Sequence, residues 1–144
     1  MKTIDKDPYG QISLDAARKF LRMDWLPAAS GMSAEDFKRT LGVAAETALA
    51  HAVESVLVDA REFRPNPALA EICEWREQES VPKYNQVIQR FAWLAAADAP
   101  QLPGDGQPFQ NPGEAYLSCW FRDEAAAISW ATDDDSQAEA GNPP

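Results

Sequence analysis

Two short runs limit what this chain can become. Residues 55–60 (SVLVDA) and 90–96 (RFAWLAA) are apolar without alternating polar positions, and each is about one strand long. A strand that is apolar on both faces must be covered on both faces, which is the condition of a parallel sheet flanked by helices. The residues between and before these runs have helical rather than strand periodicity. Phe37, Leu41, Ala45, Ala48, Leu49 and Ala52 recur at helical spacing, and Ser33 followed by Asp36 reads as an N-cap, so a helix is predicted over 33–52. Asn66 and Pro67 form a second start signal, with the helix running to about Ser80. Pro82 should end or kink it, and KYNQVI should add one more turn.

The N-terminal part reads differently. In residues 11–25 (QISLDAARKFLRMDW), Ile12 and Leu14 alternate with polar neighbours and Asp15-Ala16-Ala17 supplies a turn. Leu21, Met23 and Trp25 then share one face, with Phe20, Arg22 and Asp24 on the other. This predicts an antiparallel hairpin. AYLSCWF near the C-terminal end alternates Ala115, Leu117, Cys119 and Phe121, taken as inward, against Tyr116, Ser118 and Trp120. A short closing helix, RDEAAAISWA, turns Ala127, Ile128 and Trp130 inward. The predicted order is β-β-α-β-α-β-loop-β-α. That is an α/β domain with a mixed, mostly parallel five-stranded sheet, an N-terminal antiparallel hairpin and three or four helices.

With 144 residues the chain suits one domain, placed at residues 1–131. Residues 98–113 (DAPQLPGDGQPFQNPG) are dense in Pro and Gly and predict a long structureless loop, functional or mobile. Residues 132–144 (TDDDSQAEAGNPP) form an acidic low-complexity tail with too little apolar content to order itself. The formal net charge of −10 works against nucleic acid and anionic membrane surfaces, which need clustered Lys and Arg. Cys73 and Cys119 are too few and too far apart for a disulfide framework or a zinc site, and both sit in apolar surroundings suited to buried thiols. The start, MKTIDKDPYGQ, has no apolar run for a signal peptide, so a reducing cytoplasm is the expected location.

The stretches SLDAARKFLRMDW, VLVDAREF, VPKYNQVIQRFAWL and WFRDEAAAISWA, in this order, resemble the SpoIIAA-like (STAS-like) family of small bacterial α/β domains. The resemblance covers residues 11–131. It implies a non-catalytic, self-associating domain that meets itself or another cytoplasmic protein, with no cofactor. The family's switch is a phosphorylatable serine in an Asp-Ser-Ser-Gly-like turn at a helix N-terminus. The matching junctions here, Asp59-Ala60-Arg61 and Arg64-Pro65-Asn66, hold no Ser or Thr, so the resemblance implies a member without that switch. Where the family commonly has a helix, this chain has the 98–113 loop. The broader fold also occurs in lipid carriers of the CRAL-TRIO type, which implies an alternative role: holding a small apolar ligand.

Several residues carry chemistry that either role would use. Asp59, at the carboxyl end of its strand, and Arg61 and Arg64 beyond it are candidates for holding a small anion or polar head. The competing reading has Asp59 accepting from backbone N–H groups while the arginines pair with neighbouring acids. Leu102 and Phe109 on the long loop are candidate lid residues over an apolar ligand. Tyr116 and Trp120, out of register with the inward positions, are a candidate partner interface, or else a face covered by Leu102 and Phe109. His51, the only histidine, reads as a helix C-terminal residue. Glu71, Glu74 and Glu77, with Arg76 among them, read as a solvated helix face. No phosphate cradle, nucleophile elbow or zinc-protease motif is present, so no enzyme is predicted. Deleting residues 132–144 is expected to leave the melting temperature within error; a fall of several degrees in a thermal melt would show that the tail docks.

Overall fold

The computed structural model describes residues 1–63 and 69–132. Six strands form one sheet in chain order, β1 (Lys2–Lys6), β2 (Gly10–Asp15), β3 (Phe20–Trp25), β4 (Ser55–Asp59), β5 (Arg90–Leu94) and β6 (Leu117–Phe121). The first two pairings are antiparallel and the other three parallel, so the predicted mostly parallel α/β sheet with an N-terminal hairpin is present. The sixth strand is β1, which the five-stranded expectation omitted. Its sequence, KTIDK, has a single apolar residue and gives no strand pattern, because it is an outer strand with a bulge between Thr3 and Asp5.

All five residues of β4 are buried. Val56 and Val58 point to one face and Leu57 to the other, and each is inaccessible to solvent. Burying such side chains contributes about 1.5–3 kcal/mol apiece, which makes β4 the axis of the core. On the Val56 side lie α1 (Ala34–Ala50), α2 (Leu69–Trp75) and α3 (Val81–Tyr84), packed on Ile12, Leu21, Met23, Val58 and Phe91. On the Leu57 side lies α4 (Glu124–Thr132), packed on Phe20, Leu57 and Ala92. Among the described residues no helix is long and apolar enough to cross a membrane.

α1 starts as its sequence predicts. The Ser33 hydroxyl accepts from the Asp36 N–H, and the Asp36 carboxylate accepts from the Ser33 N–H, each at 3.2 Å. His51 is its C-cap. The hairpin turn is one step later than predicted: Asp15 ends β2 and the turn runs through to Lys19, which takes φ +50°. Thr132 belongs to α4 rather than to the tail, and its hydroxyl donates to the Ile128 carbonyl at 2.7 Å. The rest of the predicted tail, and Arg64, Asn66 and Pro67, lie outside the described residues.

Helical structure passes Pro82 and ends at Tyr84. Between α2 and α3 the chain widens into a π-turn, Arg76–Ser80, in which the Val81 N–H donates to the Arg76 carbonyl. A proline in a regular helix lacks an N–H and strikes the carbonyl four residues back, here that of Gln78. Widening the turn before it lets the helix continue. The 98–113 loop is more ordered than its composition predicts. It makes a tight turn at Pro103–Gly106, then runs beside β6, where Phe109 and Ser118 exchange backbone hydrogen bonds of 2.9 and 2.8 Å.

Gly104 in that turn has φ +68°, and a Cβ there would stand 2.7 Å from the Phe109 ring. Gly104→Ala is therefore expected to lower the urea-unfolding free energy by about 1–3 kcal/mol. An unchanged midpoint would mean that the turn does not form as described.

Candidate functional site

The carboxyl end of β4 is where a ligand or reacting group would be sought in an open α/β sheet, provided the strand order reverses there. Here the order runs from β1 to β6 without reversal, so no crevice opens between helices of opposite faces. The position is occupied instead by an ion-pair cluster. Arg22 and Asp24 reach it from β3, Asp59 ends β4, Arg61 follows, and Glu124 comes from the first turn of α4.

Arg22 binds Asp24 at 2.9 Å, Glu124 at 3.0 Å and Asp59 at 3.2 Å. Arg61 closes the circuit, with Nη2 2.6 Å from Asp59 and 2.9 Å from Glu124. The Asp59 carboxylate also accepts from the Arg61 backbone N–H at 3.1 Å. Burial pushes the Asp59 carboxyl up, but the Arg61 side chain, the Arg61 N–H and the charge of Arg22 outweigh it and hold the group below the usual carboxylate range. Glu124 is lowered as well, chiefly by its hydrogen bond to Arg22. Asp24 moves the other way, because its burial outweighs the Arg22 contact. Asp59 and Arg61 are thus together as the sequence suggests, in the structural pairing that competed with the ligand reading. Arg22, Asp24 and Glu124 were not singled out by sequence. The available signal was Arg22 and Asp24 on the polar side of a strand otherwise wholly apolar.

The aromatic pair at β6 is corrected by the structure. Tyr116 is only 1% exposed and cannot present an outer face. In-register pairing sets Ser118 beside Phe91 and Trp120 beside Trp93, so the even-numbered residues share the face of α1–α3. Tyr116 stacks on Phe91, Phe91 on Trp93 and Trp93 on Trp120, with centroids 5.8, 4.7 and 5.1 Å apart. Trp120 is half-buried. Of the residues taken as inward, Cys119 is buried, but Ala115 and Leu117 are exposed, because α4 leaves the amino end of β6 uncovered. The candidate lid residues are anchored. Leu102 is buried, and Phe109 is half-buried with its ring against Gly104. Cys73, expected in the core, is exposed on α2.

A second constellation was also missed. Arg76, read as part of a solvated face, lies four residues beyond the buried Ile72 and so shares its inward side. Its guanidinium lies 5.2 Å from the Phe91 ring centre and 5.6 Å from that of Trp93. Nη1 is 3.4 Å from the buried Glu114 carboxylate, and Nη2 donates to the Tyr116 hydroxyl at 3.3 Å. Burial pushes the Tyr116 phenol up to about 12 despite the nearby Arg76 charge. Arg76 and Glu114 border a cavity of about 640 Å³ between the π-turn and the 111–114 turn. The spacing of Ile72 and Arg76 was the readable signal; the contribution of Glu114, from a turn 38 residues away, was not.

Comparison with known proteins gives no match to a family model, to a curated protein or to a solved structure.

A carboxyl held below its unfolded value adds stability above that value, and the stability is lost as pH falls through the lower folded one. Removing Asp59 also leaves Arg22 short of a partner. Asp59→Asn is expected to cost about 2–3 kcal/mol at neutral pH. The difference from the parent should shrink below the unshifted Asp value of 3.8. Urea unfolding across that range checks this; a pH-independent difference would mean that the cluster does not tune Asp59.

Proposed function

We propose that this chain is a non-catalytic, SpoIIAA-like interaction domain that self-associates and lacks the phosphorylatable serine. The observation that carries this reading is the closed ion-pair cluster at the carboxyl end of β4. The acid best placed for chemistry is tied to Arg22, Arg61 and a backbone N–H, and its lowered pKa makes it a poor general base. Among the described residues no cluster of three His, Cys, Asp or Glu groups comes together to hold a metal. The resemblance in residues 11–131 and the matching order of elements support the family.

What remains for contact is the face of the sheet carrying α4. Leu117 is 41% exposed at the amino end of β6. Along the same face Phe121 and Trp130 lie 5.7 Å apart, both half-buried. These apolar groups favour a partner, and a second copy is the simplest one. The alternative, a carrier of small apolar ligands, has less support. Leu102 and Phe109 hold their own loop in place, and among the described residues the hollow there, about 420 Å³, is lined by that loop, from Gln101 to Asp105.

Sedimentation velocity over a concentration series is expected to show a dimer without added mass. Leu117→Glu should shift it to monomer while leaving the melting temperature within a few degrees. A parent protein that stays monomeric throughout would remove self-association. A persistent added mass in native mass spectrometry would favour the carrier.

A further inference from the structure

We infer that the cavity between the π-turn and the 111–114 turn is a binding site for a small zwitterion of the α-amino-acid type. Arg76 would take its carboxylate, and Glu114 with Glu77 its ammonium group. This goes beyond the interaction-domain reading and does not depend on self-association.

The first support is the state of Arg76. A guanidinium has five N–H donors. This one is 18% exposed, yet among the described residues its partners are two hydrogen bonds of 3.3 and 3.4 Å and the faces of Phe91 and Trp93. Both bonds are longer than a charge-assisted bond, which is normally 2.7–2.9 Å. With two long bonds in use, this half-buried guanidinium has N–H donors left on a side chain that lines the cavity.

The second support is the charge on the wall. Arg76, Glu77 and Glu114 all line the cavity, leaving one net negative charge. A simple anion would be drawn to Arg76 and repelled by two carboxylates; a simple cation would meet the guanidinium. A ligand with adjacent charges of both signs satisfies all three. Val81, Pro112 and Cys73 add mainly apolar surface for a side chain, beside Asn111 and Gly113.

The third support is that both walls are built rather than loose. Asn85 donates to the Gly113 carbonyl at 2.9 Å and accepts from the Ala115 N–H at 2.7 Å, clamping the turn from α3's end. Within the turn, Asn111 donates to the Glu114 carboxylate at 3.1 Å, and Gln110 to its carbonyl at 2.6 Å. On the other wall the π-turn begins at Arg76 itself, and such turns occur often at functional sites.

Cys73 supplies the test. It is the exposed cysteine of the pair and lines the cavity, whereas Cys119 is buried. The rate of Cys73 alkylation, read by intact mass, should fall severalfold and saturably with at least one common L-amino acid at millimolar concentration. The matching deaminated acid and decarboxylated amine should each protect far less. Arg76→Lys should abolish protection. Because that change falls in a buried cluster, Glu77→Gln, on an exposed side chain, provides the second variant. It should raise the half-protecting concentration about tenfold, the cost of one charged hydrogen bond, with an unchanged melting temperature. Protection by no amino acid overturns the proposal. Equal protection by the deaminated acid overturns the zwitterion, and a Glu77→Gln protein that is protected like the parent overturns the ammonium site.

Discussion

The parallel pairing of β4 between β3 and β5 is the constraint on which the rest of this domain depends. Each β4 residue has a neighbour in register on both sides, from Phe20 and Arg90 beside Ser55 to Asp24 and Leu94 beside Asp59. Parallel neighbours must be joined by long crossovers, and a right-handed crossover in an order that never reverses returns on the same face each time. That is why α1, α2 and α3 crowd one face while α4 alone attends the other. The charged cluster follows from this imbalance. Arg22, Asp24 and Asp59 stand on the thinly covered face, so they remain close enough to water to be charged, and Glu124 ties α4 to the strand ends.

The same asymmetry separates the two polar constellations by character. The Asp59 cluster has short contacts, and its arginines are held from several directions. The Arg76 cluster is deeper, on the crowded face, yet looser, with aromatic rings doing part of the work of counter-charges. In the first, Arg22 meets three carboxylates and Arg61 at least two; in the second, Arg76 meets one among the described residues. A half-buried guanidinium with donors to spare, rigidly framed beside a cavity, is a better place to look for a ligand than arginines already engaged by several carboxylates.

Much of the fold was legible from local chemistry. The continuous runs at 55–60 and 90–96 announce buried strands, Ser33 with Asp36 announces a capped helix, and Ile12 and Leu14 announce a half-exposed hairpin strand. Where local reading failed, a distant contact had decided the matter. β1 owes its strand form to β2, not to its own residues. Tyr116 turned inward because the register of β6 on β5 sets even-numbered residues toward the helix-crowded face, which alternation within β6 does not reveal. Cys73 looked apolar in context but faces away from Ile72. At the candidate sites, the coming together of Asp59 and Arg61 was readable because they are neighbours in the chain. Glu124 and Glu114 arrive from far along it, so no spacing could announce them.

The backbone exchange between Phe109 and Ser118 has a further consequence. β6 would otherwise end the sheet with a row of unpaired N–H and C=O groups, an invitation to add strands from other molecules. The loop segment fills part of that row. At the opposite margin, β1 carries a bulge and two lysines, which also discourage strand addition. A sheet guarded in this way at both margins is less suited to growing into fibrils or runaway stacks, which leaves its faces, rather than its margins, for selective contact.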